Sequence, residues 1–405
     1  MATAPLLTRC CIAGGGPAGI MLGYLLARRG IEVTVLEKWP DFFRDFRGDT
    51  IHPSTMDVLY ELGLLDDFLK LPHNKTRQMR GHISGAETII ADFSYLRVRC
   101  PYIAFIPQWD FLNFLADKAK ALPNFHLLME TEALDLIHDG GRVVGVRAKN
   151  SEGEFEIRSD LVVGCDGRHS TIREKAGLMV EDLGAPIDVL WFRISRDIHG
   201  APDQSFGYVE NGTIMVMLDR DTYWQCAFII AKGDFEHIKA RGLDAFRTTI
   251  AITAPFVKDA VQEITDWDAV KMLSVTVDHL RQWYADGVLC IGDAAHAMSP
   301  VGGIGINLAI QDAVAAANIL IPAFERGIPT TADSAAIQKR RAWPTRVTQR
   351  FQIFFHEHLI APYLRGEVQT KRPFPLKLLA WFPFLRYFPA RFIGIGVQPE
   401  HVQFP

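Results

Sequence analysis

The sequence Gly14-Gly15-Gly16-Pro17-Ala18-Gly19 decides the fold, because it connects a short apolar strand to a helical stretch. Residues 9–13 are predicted to form the strand, and residues 17–29 have the spacing of a helix that Gly30 ends. Residues 32–36 are predicted to form a second buried strand. A strand, a helix and another strand in this order predict a parallel sheet.

The six-residue motif is typical of loops that hold a pyrophosphate. Gly14 permits a tight turn, Gly16 lets a pyrophosphate approach the backbone, and Gly19 lets the helix pack closely on the strand. The N-terminus of the helix adds free N–H groups and a partial positive charge. Glu37 closes the second strand, where a carboxylate can accept hydrogen bonds from the hydroxyls of an adenosine ribose. The residues predicted to bind a dinucleotide here are Gly14, Gly16, Pro17, Ala18, Gly19, Glu37 and Lys38.

A second glycine-rich crossover lies near the other end of the chain. Residues 288–291 are predicted to form a buried strand, which is followed by Gly292-Asp293-Ala294-Ala295-His296 and by the glycine-rich stretch 302–307. Asp293 follows the carboxyl end of that strand, where open α/β sheets bind ligands, and it can accept a hydrogen bond from a ribityl hydroxyl. A helix that begins near Gly305 would direct its positive end at the pyrimidine edge of a flavin. The two crossovers together predict one long cofactor held at two points.

Three motifs occur in a fixed order along the chain. They are the glycine loop 14–19, then Asp160-Leu161-Val162-Val163-Gly164-Cys165-Asp166-Gly167 with Ser170 and Arg173, then Gly292-Asp293 with Pro300 and Gly305-Ile306-Asn307. The set resembles that of the single-component, FAD-dependent aromatic hydroxylases, the group-A flavoprotein monooxygenases related to para-hydroxybenzoate hydroxylase. Arg47-Gly48 resembles the family's segment beneath the flavin, and Gln108 resembles its FAD-contacting glutamine. The resemblance spans about residues 8–320.

The resemblance implies a monooxygenase that holds FAD and uses NAD(P)H and O₂. NAD(P)H would reduce the flavin, and a flavin C4a-hydroperoxide would transfer one oxygen atom to an aromatic, phenolic or polycyclic substrate. Pro300 and Arg47 would lie at the catalytic centre, Pro300 with its carbonyl on the substrate side of the flavin, and Asp166 would serve both nucleotides. Ile304 departs from the family pattern, in which many members have a polar residue between the two glycines. The residues that the resemblance assigns to FAD are Glu37, Arg47, Gln108, Asp166, Asp293, Gly305, Ile306 and Asn307.

The predicted fold class is α/β, with a Rossmann-like FAD-binding domain, an inserted mixed β-sheet substrate domain and a C-terminal helical segment. The FAD-binding domain is assigned residues 1–75, 105–182 and 276–340, the substrate domain residues 76–104 and 183–275, and the C-terminal helical cap residues 341–405. Asn211-Gly212 is a strong hairpin signal within the inserted sheet. Five residues of its strands either line a substrate cavity or pack the sheet, namely Trp191, Arg193, Met215, Trp224 and Gln225. Strand alternation puts Trp191 and Arg193 on one face.

Composition narrows the class of protein further. The chain of 405 residues has a net charge of −4 and no basic block, so nothing favours a nucleic-acid partner. Its six cysteines form no C-x-x-C pair and are predicted to be reduced thiols of a cytosolic protein. It has no run of about 18 apolar residues, so no membrane-spanning helix is predicted. His356-Glu357-His358 is not predicted to bind a metal, because residues i and i+2 of a helix face nearly opposite directions.

Residues 374–396 are rich in Phe, Leu, Trp and Ile, but three prolines and three basic residues interrupt them. The segment is predicted to pack either on the core of its own chain or on a second subunit. In the second case the protein would be a homodimer. The alternative is a membrane-surface segment that collects an apolar substrate. The predicted location is the cytoplasm, with a loose membrane association under the alternative.

Three rival functions use an FAD-binding fold. A flavin-dependent halogenase would carry a W-x-W-x-I-P segment, which this sequence lacks. An FAD-dependent reductase of an apolar substrate would fit the C-terminal segment and would consume no O₂. A non-catalytic FAD-binding sensor would oxidise no NAD(P)H with any substrate. The monooxygenase is the favoured hypothesis.

Overall fold

The computed structural model describes residues 4–43, 50–83, 85–196, 206–366 and 374–404. The predicted catalytic residue Arg47 lies outside the described residues. The strands in chain order are β1 (Leu6–Ala13), β2 (Val33–Leu36), β3 (Thr50–Ile51), β4 (Asn74–Thr76), β5 (Gln78–Ile83), β6 (Ala86–Asp92), β7 (Ile103–Phe105), β8 (Phe125–Leu128), β9 (Glu132–Asp139), β10 (Arg142–Asn150), β11 (Gly153–Gly164), β12 (Val180–Asp182), β13 (Ile187–Ser195), β14 (Phe206–Glu210), β15 (Thr213–Asp219), β16 (Tyr223–Ala231), β17 (Lys271–Ser274), β18 (Asp278–Leu280), β19 (Tyr284–Ala285), β20 (Val288–Cys290) and β21 (His296–Ala297). The α-helices are α1 (Pro17–Arg28), α2 (Pro53–Glu61), α3 (Leu65–Phe68), α4 (Gln108–Lys120), α5 (Thr171–Lys175), α6 (Phe235–Ala240), α7 (Leu243–Thr253), α8 (Gly305–Arg326), α9 (Thr331–Phe355), α10 (Ala361–Leu364), α11 (Phe374–Trp381) and α12 (Tyr387–Gly394).

The central sheet has eight strands, six of them in the order β19-β20-β11-β1-β2-β8. β1 pairs in parallel with β2 and β11, and β11 pairs in parallel with β20. β10 pairs antiparallel with both β9 and β11. β2 is buried along its whole length, as expected of a parallel strand between helical layers. The predicted βαβ unit and the α/β class are confirmed.

A second sheet has seven strands in the order β17-β13-β16-β15-β14-β5-β6. Its strands come from two parts of the chain, 78–92 and 187–274. The predicted hairpin joins β14 to β15, where Asn211 and Gly212 both have positive φ, as a type I′ turn requires. Two three-stranded sheets, β3-β7-β4 and β12-β18-β21, lie outside these two. The division of the chain into domains stays a prediction.

Residues 255–264 form two short 3₁₀ turns, Pro255–Val257 and Ala260–Glu263. The preceding helix α7 ends at Thr253, because Ala254 adopts φ −132° and ψ 84° ahead of Pro255. The ring of a proline disfavours the helical conformation of the residue before it. Two apolar residues of this segment, Val257 and Val261, are buried in the core.

α8 is the central helix of the fold. The helical stretch from Val301 to Arg326 is long and apolar enough to span a membrane by composition, but 78% of its apolar window is buried inside the protein. It packs on α1 and α9, as in the core helix of a soluble protein. α9 is continuous from Thr331, which follows a capping box formed by Thr330 and Asp333, to Phe355. A π-helical turn, His356–Ile360, then leads into α10.

Candidate functional site

The loops that carry the predicted motifs lie side by side along one edge of the central sheet. Leu36 of β2 pairs with Ala13 of β1, Ala13 pairs with Gly164 of β11, and Gly164 pairs with Cys290 of β20. Each of these four residues is the last of its strand. Because neighbouring strands are about 4.8 Å apart, the row of strand ends is about 14 Å wide. Glu37, the glycine loop, Asp166 and Asp293 follow directly from this row.

The glycine loop is shaped by close backbone contacts on one side and open space on the other. A Cβ on Gly14, whose φ is 104°, would lie 2.3 Å from the carbonyl oxygen of Cys165, and one on Gly19 would lie 2.0 Å from that of Gly14. A Cβ on Gly16 would meet no described atom within 4 Å. α1 begins at Pro17 with no side-chain cap and no acidic residue in its first turn. The start of this helix is therefore open to an anionic ligand.

Glu37 is buried beside this loop. Its Oε2 accepts a hydrogen bond from the backbone N–H of Gly15 at 3.1 Å, and its Oε1 accepts one from Trp39 at 3.1 Å. Lys38 is exposed, and its ammonium lies 5.4 Å from the centre of the Trp39 ring. The structure thus brings Glu37 to the glycine loop, whereas Lys38 lies over an exposed indole.

Asp166 follows β11, but its carboxylate fixes the start of α5. Its Oδ1 accepts a hydrogen bond from the Ser170 hydroxyl at 2.5 Å, and its Oδ2 accepts one from the Ile172 N–H at 3.1 Å. Burial raises the pKa of the Asp166 carboxyl above its usual range, and the two hydrogen bonds partly offset that rise. A direct role of this carboxylate at a nucleotide stays a prediction.

Asp293 connects the second and third motifs. Its Oδ2 lies 3.4 Å from Nε of Arg168, which belongs to the loop after β11. The neighbouring Gly292 also touches the first helix, since a Cβ on it would lie 3.2 Å from Cβ of Ala18 and 3.4 Å from Cβ of Ala309. All three motifs are therefore in direct contact.

Asn307 holds the start of α8 against β3 and α2. Its Oδ1 accepts hydrogen bonds from the His52 N–H at 2.9 Å and the Thr55 hydroxyl at 2.7 Å. Its Nδ2 donates to the carbonyl oxygens of Thr50 and Gly303, each at 3.2 Å. The side chain is thus occupied within the protein, and a contact of Asn307 with FAD would use its backbone N–H in the first turn of the helix.

Gly305 and Ile306 are the first two residues of α8, and they directly follow the loop that contains Gly303. Thr50 donates its hydroxyl proton to the carbonyl oxygen of Gly303 at 3.0 Å. Gln108 begins α4 shortly after Phe105, the residue of β7 that pairs with Thr50. The contact of Gln108 with FAD stays a prediction.

The loop around Pro300 is held by the C-terminal part of α9. Gln352 accepts the N–H of Ser299 at 3.1 Å and donates to the carbonyl oxygens of Ser299 and Val301, each at 3.1 Å. The Ser299 hydroxyl lies 2.8 Å from Nε2 of His356, at the start of the π-helical turn. Burial lowers the pKa of His356 to about 4, so this imidazole is neutral near pH 7.

The same contacts decide the role of the sequence His356-Glu357-His358. His356 is fully buried against Ser299, whereas His358 is exposed and stacks on the Phe354 ring at 4.4 Å. The two imidazoles belong to different environments, one inside the protein and one at its surface. His356 is therefore a residue that positions the Pro300 loop.

Ile304, the departure from the family pattern, has an apolar partner. It is buried in a small cluster with Met298 and Leu308, and Phe392 of α12 packs against that cluster. The Phe392 ring also contacts Phe351 of α9, with 4.5 Å between ring centres. A polar residue at 304 would face this cluster, so the apolar side chain is matched to the C-terminal segment of this chain.

A buried ionic network stabilises the loop of the third motif. Asp312 of α8 accepts hydrogen bonds from the Gly292 N–H at 3.1 Å and from Nε of Arg341 at 2.9 Å, and it lies 2.6 Å from Nε2 of His296. Arg341 also reaches Glu400 at 3.2 Å. Burial alone would raise the pKa of Asp312, but the charges and hydrogen bonds of His296 and Arg341 outweigh it and lower that pKa. His296 is thus a hydrogen-bonding partner that stabilises the loop.

The five candidate substrate residues lie on two different faces of the seven-stranded sheet. Met215 and Trp224 belong to the core that α6 and α7 cover, where the Trp224 ring meets that of Phe256 edge to face. Trp191 lies on the opposite face, in a cluster that includes Val301, next to Pro300. The remaining two are Arg193 and Gln225, which are directly opposite each other in the pairing of β13 with β16 and share the face of Trp191.

Several residues of the site were not found from the sequence. Asp312 is the one charged residue between Gly305 and Phe324, and such an isolated carboxylate in an apolar helix was a usable signal of a buried ion pair. Gln352 and Arg341 gave no such signal, because both lie among other polar residues of α9. Their roles depend on a contact between distant parts of the chain.

The residues of this edge fit an extended flavin dinucleotide. Glu37 lies at one end of the row of strand ends, and the open loop at Gly16 with its uncapped helix follows the neighbouring strand β1. A carboxylate at Asp293 and the start of α8 lie at the other end. The row supplies backbone N–H donors for phosphates and a carboxylate acceptor for the hydroxyls of a ribityl chain, and FAD requires both.

Comparison with known proteins identifies the family and several relatives. The model of the FAD binding domain family matches residues 7–351. The chain is 31% identical over 353 residues to 6-methylpretetramide 4-monooxygenase of Streptomyces rimosus, which covers 85% of this chain and 83% of that protein. It is 29% identical over 313 residues to rifampicin monooxygenase of Streptomyces venezuelae, which covers 75% of this chain but only 61% of that protein.

A solved structure shows the same fold. OxyS anhydrotetracycline hydroxylase from Streptomyces rimosus superposes on 97% of this chain and on 77% of its own, with a TM-score of 0.76 and 23% identity. At this identity the likeness shows the fold alone. The fold includes the seven-stranded sheet and the C-terminal helices as well as the central sheet, since the match covers nearly the whole chain.

Proposed function

Because the chain belongs to the FAD binding domain family, we propose that it hydroxylates a phenolic compound with several fused rings. The protein is an FAD-dependent monooxygenase that uses NAD(P)H and O₂ and acts on an aromatic substrate. The names of its relatives refer to 6-methylpretetramide, rifampicin and anhydrotetracycline, which supports a large substrate. A halogenase and a reductase of an apolar substrate are not favoured by these relatives.

One observation carries the proposal for the site. The four strand ends Leu36, Ala13, Gly164 and Cys290 form a continuous row, and a predicted cofactor motif follows each of them. An extended ligand across this row would contact every motif in turn. Bound FAD supplies the redox and oxygen chemistry, and the protein orients it and limits access of water.

The chain's own residues have separate tasks in this proposal. The N–H groups at Gly16 and the start of α1 bind the pyrophosphate, and Glu37 binds the adenosine ribose. Asp293 binds the ribityl chain, and the first turn of α8, from Gly305, stabilises negative charge at the pyrimidine edge by about 0.3–1 kcal/mol. Ser299, Gln352 and His356 set the position of the Pro300 carbonyl on the substrate side.

The substrate is proposed to bind between Pro300 and the sheet face that carries Trp191. Val301 shares an apolar cluster with Trp191, which supports this placement. Arg193 and Gln225, on the same face, offer polar groups for a phenolic oxygen. Met215 and Trp224 are proposed to support the sheet from its other face instead.

The proposal is tested by purifying the protein with FAD and supplying NADH or NADPH with a panel of phenols of one to four rings. We expect O₂ uptake and hydroxylated product in proportion to the NAD(P)H oxidised, with the larger phenols most active. Bromide or chloride incorporation would favour a halogenase. Reduction of a double bond without O₂ uptake would favour a reductase.

Two narrower proposals concern partners and place. We propose that the protein is located in the cytoplasm and associates loosely with a membrane. Among the described residues, one helical stretch, Val301–Arg326, is long and apolar enough to span a membrane, but 78% of its apolar window is buried inside the protein. The C-terminal segment exposes aromatic side chains that could contact a membrane surface. A homodimer remains the rival use of that segment. Sedimentation equilibrium of the FAD-loaded protein distinguishes a monomer from a dimer.

A further inference from the structure

The C-terminal segment contains an apolar surface that the rest of the protein leaves uncovered. Within the described residues 374–389 none is buried, although only Lys377 and Arg386 in this stretch are charged. The largest exposed side chains, each 47 to 64% exposed, form what we call the C-terminal apolar surface, namely Phe374, Trp381, Phe382, Phe384 and Phe388. A patch of this kind on a folded protein marks an interaction site.

We infer that this surface docks on the headgroup region of a membrane that contains anionic lipid. Phe, Trp and Leu beside basic residues are the composition of segments that lie in a membrane interface. α11 has eight residues and is about 12 Å long, whereas a membrane core is about 30 Å thick, so the segment can lie on the bilayer but cannot cross it.

The charges beside the surface select the partner. Residues 374–399 contain three basic side chains, Lys377, Arg386 and Arg391, and no Asp or Glu. Lys377 and Arg391 are exposed. Such charges are attracted to the negative surface of a membrane with anionic lipid. In a symmetric dimer through this face, basic side chains would meet basic side chains, because both copies present the same patch.

α12 fixes the C-terminal apolar surface to the candidate flavin site. Ala390 and Gly394 are buried, and a Cβ on Gly394 would lie 3.1 Å from Leu96. The carbonyl oxygen of Ile393 lies 2.7 Å from Nδ1 of His52, which adjoins the start of α8 through Asn307. Docking would therefore hold the flavin site next to the bilayer, where an apolar aromatic substrate dissolves.

Sedimentation with vesicles tests the inference on the FAD-loaded protein. One set of vesicles is phosphatidylcholine alone, and the other contains about one third phosphatidylglycerol. We expect about tenfold more bound protein on the anionic vesicles, and this excess should fall as salt is added. Trp381→Ser with Phe384→Ser should abolish binding to both, whereas Lys377→Glu with Arg391→Glu should remove the preference for anionic vesicles.

Ile252→Ser is the matched control. Ile252 is an exposed apolar residue of α7, which packs on the seven-stranded sheet and does not belong to the C-terminal segment. It should bind vesicles like the unaltered protein. FAD absorbance and the thermal midpoint should be unchanged in every variant, which separates lost docking from lost folding. Failure of the unaltered protein to bind either vesicle would overturn the inference. The inference would also be overturned if the unaltered protein is a dimer and Trp381→Ser with Phe384→Ser makes it a monomer. The surface would then bind a second copy of the chain.

Discussion

Arg168 and Asp293, 125 residues apart in the chain, are joined by a contact of 3.4 Å between Nε of the arginine and Oδ2 of the aspartate. Arg168 follows the Asp166-Gly167 motif, and Asp293 belongs to the Gly292-Asp293 motif. Both side chains are partly exposed, so the pair contributes little to folding. Its effect falls instead on the orientation of the carboxylate that is proposed to bind FAD.

Arg168→Ala should therefore weaken FAD binding while the protein stays folded. We expect the Kd for FAD to rise roughly threefold to tenfold, since one oriented hydrogen-bonding group is worth about 1 kcal/mol. Asp293→Ala should raise the Kd at least as much, and the double variant should resemble Asp293→Ala. Arg158→Ala, which removes a comparable exposed ion pair with Glu156, is the control. Equal Kd values for all variants would contradict the role of Asp293.

Arg341→Met should strongly destabilise the protein. The substitution leaves the Asp312 carboxylate buried without its guanidinium partner and removes one of the two arginines that contact Glu400. We expect a loss of about 3–5 kcal/mol in the free energy of unfolding, measured by urea denaturation. Arg340→Met removes a half-exposed partner of the same Glu400 and should cost less than about 1 kcal/mol. Similar losses for the two variants would show that the buried network is not the stabilising element.

Gln352→Ala should uncouple NAD(P)H oxidation from hydroxylation. The glutamine holds three backbone groups of the Pro300 loop, so its loss frees the substrate side of the site. We expect a several-fold rise in H₂O₂ formed per NAD(P)H, with little change in FAD content. Gln352→Glu keeps the acceptor for Ser299 but loses both donated bonds, and it should show an intermediate or equal effect. Arg350→Ala, on the exposed side of α9, should remain coupled.

The free energy of unfolding should decrease as the pH is lowered below about 6.5, because histidines are buried in the folded protein. Burial lowers the pKa of His52 from 6.5 to about 4, so the unfolded chain binds a proton in this range that the folded chain does not. Stability from this group is complete above pH 6.5 and is lost as the pH falls towards 4, by up to about 3 kcal/mol. Thermal midpoints of His52→Asn should depend less on pH than those of the unaltered protein. An unchanged slope between pH 7 and 5 would contradict the assignment.

The sequence predicted the central sheet and the position of the three motifs at one of its edges well, because both depend on local signals. The strand before Gly14, the helix after it and the strand before Gly292 follow from short apolar runs and glycines. The row Leu36, Ala13, Gly164 and Cys290 needed only the rule that motifs follow the carboxyl ends of parallel strands.

Long-range contacts account for what the sequence could not predict. Periodicity places Met215 and Trp191 on strands, but which face meets the helices depends on how α6 and α7 return to the sheet. The hydrogen bond between Ser299 and Gln352 joins residues that are 53 positions apart, and no local sequence pattern predicts it. The apolar Ile304 likewise makes sense only beside Phe392 of the C-terminal segment.

The open surface at Gly16 is proposed to receive the pyrophosphate of FAD. The most direct measurement is the Kd for FAD of Gly16→Ala, together with the thermal midpoint of the FAD-free protein. A Cβ at Gly16 meets no described atom within 4 Å, so the FAD-free midpoint should not change, whereas the Kd should rise at least about tenfold. Gly14→Ala provides the contrast, because its Cβ would collide with Cys165 and lower the midpoint. An unchanged Kd for Gly16→Ala would show that the pyrophosphate does not bind at this position.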